Sequence, residues 1–207
     1  MCGVTGIINF NNAPISENVL IGMGNALSHR GPDDAGVYIN KIKTAGLAHK
    51  RLSIIDPSSA GHQPMCNEDG TLWITYNGEI YNHPELRKRL KGSGHTFKSN
   101  SDTETIVHAY EEWGIEVLLE KLRGMFAFAI YDTKKLRLII ARDRLGIKPI
   151  YYFHNDDTII FASEIKAILK SNPVLKKIDS QSAGLFLLYG SIPAPKTIFK
   201  EIYALEA

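Results

Sequence analysis

The chain has 207 residues, enough for one sizeable domain with its own core. Hydrophobic residues make up 44% and charged ones 22%, and the net charge of +2 gives no electrostatic case for nucleic acid or an anionic membrane surface. No apolar run approaches the roughly 20 residues of a membrane-spanning helix, and the start, Met1-Cys2-Gly3-Val4, lacks the basic and apolar segments of a signal peptide.

In chain order, Gly3 to Phe10 reads as an apolar strand starting at the chain terminus, broken by Asn11-Asn12-Ala13-Pro14. Ser16 to Leu27 follows as a helix, with Ser16 as N-cap and Val19, Leu20, Met23 and Leu27 on one face. After the turn-rich His29 to Gly36, strands are expected at Val37 to Ile39, Gly46 to Leu52 and Leu72 to Tyr76, with Cys66 in a polar loop before the last. Pro84 opens a helix to Leu90. A clearer helix runs from Asp102 through Ile106, Val107, Tyr110 and Trp113 and is ended by Gly114. The period then changes to strands at Met125 to Tyr131, Leu136 to Ala141, Pro149 to Phe153 and Thr158 to Ala162, before helices at Glu164 to Leu169 and Ser180 to Tyr189. Few strand–helix–strand alternations occur, which argues against a doubly wound sheet and for an α+β fold with antiparallel sheets.

The sharpest chemical clue is Cys2. Removal of Met1 would leave one residue carrying both a thiol, pKa about 8.5, and an α-amine, pKa about 7.7 to 8.0. The amine could then take the thiol proton during attack and return it to a leaving group, without a histidine. The bland alternative is a bystander cysteine near a frayed end, but the strand that follows argues for a rigidly held one. The cysteines, Cys2 and Cys66, give no disulfide framework, and a reducing cytoplasm is the expected location. His29, His49 and His62 lack metal-ligand spacing, so no metal site is expected, and Arg142-Asp143-Arg144 reads as a structural ion-pair cluster.

Nine runs, in order, resemble the class II glutamine amidotransferase domain of glutamine-hydrolysing asparagine synthetases. They are Cys2-Gly3-Val4-Thr5-Gly6, His29-Arg30-Gly31-Pro32-Asp33, Arg51-Leu52-Ser53-Ile54-Ile55-Asp56, His62-Gln63-Pro64-Met65, Tyr76-Asn77-Gly78-Glu79-Ile80-Tyr81-Asn82, Ser101-Asp102-Thr103-Glu104, Gly124 to Ala129, Arg142 to Pro149 and Phe161 to Ala167. The resemblance covers nearly the whole chain, and it implies the N-terminal-nucleophile hydrolase fold: a four-layer αββα sandwich, two antiparallel sheets between helical layers.

The resemblance also implies roles. Cys2 would be the nucleophile, and the Asn77 side-chain amide with the Gly78 N–H would form the oxyanion hole. By itself Asn-Gly reads as a type I′ hairpin turn. Arg51 would clamp the α-carboxylate of glutamine through parallel hydrogen bonds. Asp102, helped by Glu79, would meet the α-ammonium; Asp102 also reads as a helix N-cap and could serve both purposes. Leu52, Ser53, Ile54 and Ile55 would line the substrate. His29 to Asp33 would shape the pocket.

The whole of 1–207 is thus expected to be one glutaminase domain, needing no cofactor. ATP and magnesium would belong to a C-terminal synthetase domain outside this chain, which has no Ser-Gly-Gly-x-Asp-Ser loop. That domain and L-glutamine are the expected partners, with a homodimer left open. The acceptor of the ammonia, aspartate or another carboxylate such as one on a surface sugar, would be chosen in the synthetase half. A bile-salt-hydrolase-like amide hydrolase would not need the Arg51 and Asp102 pair, and a degenerate domain would have lost Cys2. Whether the base is the amine, a water or a preformed thiolate–ammonium pair stays open.

Overall fold

The structure, a computed structural model, describes residues 1–172 and 175–207. In chain order it comprises β1 (Gly3–Asn9), α1 (Glu17–Asn25), β2 (Asp34–Ile39), β3 (Ala45–Arg51), a 3-10 turn (Ser59–Gly61), β4 (Met65–Cys66) and β5 (Leu72–Ile80). Then follow α2 (His83–Gly92), α3 (Asp102–Lys121), β6 (Gly124–Asp132), β7 (Arg137–Arg142), β8 (Tyr151–His154), β9 (Thr158–Ala162), α4 (Ile165–Ser171), α5 (Ser180–Tyr189) and β10 (Tyr203–Ala204).

The strands form two sheets, ordered β10-β8-β9-β1-β3-β2 and β4-β5-β6-β7. Every pairing is antiparallel. Side-chain alternation explains the layering. On β6, Phe126, Phe128 and Ile130 point to a core shared with Leu86 and Leu90 of α2 and Ile106, Val107 and Tyr110 of α3. Between them, Ala127, Ala129 and Tyr131 face the other sheet, meeting Val4 and Ile8 of β1, Leu47 of β3 and Phe161 of β9. The far face of the six-stranded sheet packs Ile7 and Ile160 against Leu20 and Met23 of α1 and Ala167 and Ile168 of α4. Three apolar layers between four structural layers make an αββα sandwich, the architecture expected. The alanines on β6 let the sheets approach, and Phe161, fully buried, fills the middle layer.

Several boundaries differ from the sequence reading. β5 runs on to Ile80, so Asn77-Gly78 lies inside a strand and not at a hairpin turn. Cys66 is in the short strand β4, opposite Trp73, and not in a loop. Gly114, at φ 75°, interrupts α3, and the helix resumes to Lys121. The turn needs a left-handed residue, which glycine supplies without Cβ strain. Arg142, Asp143 and Arg144 are not an ion-pair cluster. Arg142 donates to the carbonyls of Lys148 and Leu205 and Arg144 to that of Leu119, while Asp143 accepts N–H groups from Phe126, Leu145, Ile147 and Lys148.

Polar groups stitch the sheets at chosen points. His49 of β3 is fully buried, and its Nε2–H donates to the Tyr76 carbonyl of β5 at 2.9 Å, which leaves Nδ1 unpaired. Burial lowers its pKa from 6.5 to about 4, only partly opposed by that hydrogen bond. A histidine with a depressed native pKa binds its proton more readily when unfolded, so stability falls as pH drops through the window from 6.5 to about 4 and levels off below it. The loss attributable to His49 is about 3 kcal/mol. Urea unfolding across that window should show the slope in the wild type and not in His49→Gln, which keeps an amide donor. The same slope in both proteins would assign the acid sensitivity elsewhere.

Candidate active site

The register of β1 against β3 pairs Gly3 with Lys50, so Cys2, one residue before β1, stands beside Arg51 at the end of β3. Both line one cavity of about 240 Å³ together with the far end of β5 and the first turn of α3. Its size is below the roughly 300–1,000 Å³ of drug-sized pockets and suits a small metabolite.

The chain start is fixed by contacts and is not a frayed tail. Arg30 donates through Nε to the Cys2 carbonyl at 2.9 Å and through Nη1 to Glu164 at 2.9 Å. His29 and Lys166 also reach Glu164, at 2.8 and 3.0 Å. Burial of this carboxylate acts against its charge, but the Arg30, Lys166 and His29 contacts prevail and hold its pKa at about 2. Gly31 lies against β3 so closely that a Cβ would come within 2.3 Å of the Lys50 carbonyl oxygen. Asp33 completes the seam: its N–H donates to the Arg51 carbonyl and its carboxylate accepts the Ser53 N–H. The His29 to Asp33 run therefore shapes the pocket from behind, holding the chain start and the 51–55 segment in place.

The Cys2 thiol accepts the Leu52 N–H at 3.4 Å and lies 3.7 Å from the Leu52 carbonyl. Burial pushes its pKa up, more than the Leu52 contact, the nearby terminal charge and Arg51 bring it down. The resting group is thus a thiol, and a base must take its proton.

Opposite Cys2, two hydrogen-bond donors are left over. The Asn77 Nδ2 is buried and has no partner among the described residues. On β5, Tyr76 and Ile80 direct their N–H groups away from β6, to Gln63 Oε1 at 2.8 Å and Asp102 Oδ2 at 3.0 Å. Gly78 lies midway in the same two-residue repeat, so its N–H points the same way, and no described residue accepts it. An unpaired buried donor costs roughly 1–3 kcal/mol, so the Asn77 amide, with the half-buried Gly78 N–H beside it, marks a place for an oxygen. Glycine is required there because a Cβ on Gly78 would sit 2.3 Å from the Met125 carbonyl oxygen.

Charge lines the same cavity. Arg51 is buried, and its guanidinium donates to the backbone carbonyls of Ser58, Ile55 and Asp56. Three of the five guanidinium N–H groups are thus used, leaving Nε–H and one Nη1 hydrogen, and no described carboxylate forms an ion pair with it. Asp102 is also buried; its Oδ2 accepts both the Tyr76 hydroxyl, at 2.6 Å, and the Ile80 N–H, which leaves Oδ1. Burial, and then the Asp102 carboxylate, push the Tyr76 hydroxyl well above its ordinary pKa, so it stays a donor. Glu79, exposed, stands at the rim. Asp102 is not the N-cap: Ser101 accepts the Thr103 N–H, and Asp102 is the first helical residue.

The structure gathers Cys2, Arg51, Leu52, Ile54, Ile55, Asn77, Gly78, Glu79 and Asp102 around one cavity. Ser53 is the exception: it falls outside the wall, held by Asp33. Ile54, 73% exposed, flanks the mouth. Gln63, Tyr76, Thr103, Met125 and Lys148 also line the cavity, without a role assigned to them from the sequence. Gln63 could have been suspected, since it is buried and bridges the Tyr76 N–H to the Thr103 hydroxyl. Lys148, 7% exposed, brings a second cation without an ion-pair partner among the described residues, and its spacing gave no signal.

Among the described residues no helix is long and apolar enough to cross a membrane. The chain is 43% identical over 98% of its length to asparagine synthetase [glutamine-hydrolyzing] 3 of Bacillus subtilis, of which it spans 33%. It is 45% identical over 81% of its length to asparagine synthetase [glutamine-hydrolyzing] 2 of Arabidopsis thaliana, of which it spans 28%. The chain therefore covers about a third of the length of these relatives. Among solved structures, glutamine phosphoribosylpyrophosphate amidotransferase of B. subtilis superposes on 81% of this chain and 43% of its own with a TM-score of 0.65 at 24% identity, a likeness of fold. The family model for the glutamine amidotransferase domain matches residues 1–207. With its full length so matched, the chain belongs to the glutamine amidotransferase domain family.

Proposed function

We propose that this domain hydrolyses the side-chain amide of L-glutamine to glutamate and ammonia, in the cytoplasm, for a C-terminal synthetase domain that amidates aspartate to asparagine. The observation that carries the reading is the unpaired, buried Asn77 amide, sharing a cavity with the Cys2 thiol. The Arg51 guanidinium would take the α-carboxylate, and Asp102 with Glu79 the α-ammonium. A site that sets the Arg51 cation, with Lys148 also on the wall, against the Asp102 and Glu79 carboxylates favours a free amino acid over an internal peptide residue, which has neither end charge.

Cys2 Sγ attacks the amide carbon, and the carbonyl oxygen becomes an oxyanion received by Asn77 Nδ2 and the Gly78 N–H. The thiol proton passes to the α-amine that Met1 removal exposes on Cys2, and from there to the departing ammonia. Water then cleaves the thioester to release glutamate. No step needs a metal or nucleotide; ATP and magnesium belong to the synthetase half. Aspartate as acceptor rests on the naming of the relatives.

Intact mass before and after 6-diazo-5-oxo-norleucine, a glutamine mimic that alkylates an activated nucleophile, tests this. Loss of Met1 with a single adduct on Cys2, blocked by excess glutamine, is expected. A processed chain that takes no adduct, or takes it on Cys66, would overturn the assignment.

A further inference from the structure

A second cluster of chemistry-bearing side chains lies on the far side of α3, outside the glutamine cavity. We propose that Glu68, His95, His108 and Glu111 bind one transition-metal ion of the zinc class. One donor atom from each of the four lies within 4.8 Å of all the others. They come from three places: Glu68 from the turn after β4, His95 from the segment after α2, and His108 with Glu111 from one face of α3 at a spacing of three.

Orientation distinguishes this cluster from an acidic surface patch. Both imidazoles present Nδ1 to Glu68: His108 Nδ1 lies 3.0 Å from Oε2 and His95 Nδ1 3.3 Å from Oε1. Each then turns Nε2 to a separate carboxylate, Glu112 for His95 at 3.4 Å and Glu104 for His108 at 3.7 Å. That is the order of partners in a carboxylate–histidine–metal pattern, with the outer carboxylates at ion-pair distance from the rings. Glu104 is itself anchored by the N–H groups of Lys98 and Ser99 and by the Ser99 hydroxyl. Asn67 steadies Glu111 through a 2.9 Å hydrogen bond.

His108 supplies the independent sign. It is 1% exposed, and neither ring nitrogen makes a hydrogen bond. A 3.0 Å approach to Glu68 without hydrogen-bond geometry fits two donors directed at a common third centre better than a simple ion pair. Two nitrogens and two carboxylates suit zinc, and the imidazoles disfavour magnesium and calcium. With metal–ligand bonds of about 2.0–2.2 Å, tetrahedral donors stand roughly 3.3–3.6 Å apart. The widest separations, up to 4.8 Å, therefore close by about an ångström, while the His–Glu68 pairs at 3.0 and 3.3 Å already stand near that spacing; the exposed side chains of Glu68 and Glu111 are free to make the movement. His29, His49 and His62, which lack ligand spacing in the sequence, also stay apart in the fold: His29 meets Glu164, His62 meets Asp34, and His49 is buried between the sheets.

A bound ion would tie the β4–β5 turn and the α2–α3 connection to α3, whose first residue is Asp102 of the glutamine cavity. The test uses the metal-stripped chain carrying Cys2→Ala and Cys66→Ser, so that thiolates cannot supply the binding. Calorimetry should find one equivalent of Zn2+ and no response to Mg2+. Zn2+ should raise the unfolding midpoint, and Co2+ should give the visible absorption of a tetrahedral nitrogen–oxygen site. His95→Gln and Glu111→Gln, at partly exposed and exposed positions, should each weaken Zn2+ binding at least about tenfold with the metal-free midpoint unchanged. Absence of stoichiometric binding in the cysteine-free chain, or undiminished binding in Glu111→Gln, would overturn the proposal. Labelling of Cys2 by the glutamine mimic is unaffected by either result, so the two readings fail separately.

Discussion

Replacing Cys2 with alanine is expected to lower glutamine hydrolysis about 10⁴-fold or more while leaving the unfolding midpoint in place. The size follows from chemistry: the variant keeps both oxyanion donors and both charge clamps but has lost the covalent route, so only the residual catalysis of a binding site remains. The unchanged stability follows from position. Cys2 precedes β1, and the contacts that fix the chain start are the Arg30 bond to the Cys2 carbonyl and the β1 ladder, neither of which uses the thiol. The raised thiol pKa adds a pH signature. With the thiol protonated through neutrality, the ascending limb of kcat/KM should follow the α-amine, near pH 7.7–8.0 in its unperturbed state, and not an earlier thiolate. Activity therefore rises with pH as the amine becomes a free base. A chain that retains Met1 has an amide nitrogen at Cys2 in place of the amine and should be as inert as the alanine variant. Wild-type turnover by the alanine variant would remove Cys2 from the mechanism, and wild-type turnover by the Met1-bearing chain would remove the α-amine as its base.

Local pattern and long-range pairing were legible to different degrees in the sequence. Short apolar runs bounded by turn residues located β1, β6, β7 and β9 within a residue or two, because strands inside the sandwich meet apolar layers on both faces. It could not say that Gly3 would lie opposite Lys50, or Thr5 opposite Ala162, since those partners are set by how two sheets and two helical layers close on one another. The two-residue strands β4 and β10 carry no periodic signal at all.

The site shows the same division. Cys2, Arg51 and Asp102 could be named from sequence motifs, but not the devices that hold them. Arg51 is oriented by three backbone carbonyls, and carbonyls are invisible to a reading of side-chain types. Asn77-Gly78 is a good hairpin dipeptide, and only the continuation of β5 past it to Ile80 turns it from a bend into a pair of free donors. Ser53 went the other way: it sits in the right run, yet its N–H is taken by Asp33. The histidine–carboxylate cluster gave no sequence signal, because its four members come from three elements that meet only when α2 and α3 pack on the second sheet.

Asn77→Ala is the sharpest probe of the arrangement, because its effects on rate and on stability should have opposite signs. Loss of one oxyanion donor typically removes about 2.7–4 kcal/mol of transition-state stabilisation, so turnover should slow by a factor of about 10²–10³. KM for glutamine should change little, since Arg51 and Asp102 hold the end groups in the ground state and the Asn77 amide meets full negative charge only in the tetrahedral state. In the resting domain, by contrast, Asn77 Nδ2 is a buried donor without a partner. Removing it relieves a desolvation cost of roughly 1–3 kcal/mol, set against the packing lost with a small polar side chain. The unfolding midpoint of Asn77→Ala should therefore equal or exceed that of the wild type. Steady-state kinetics with urea unfolding on the same preparation would check both halves. A variant that is less stable and equally active would mean that Asn77 is an ordinary structural amide. One that is slower by the expected factor and no less stable would mean that the domain holds an unsatisfied donor in place for an oxyanion that exists only during turnover.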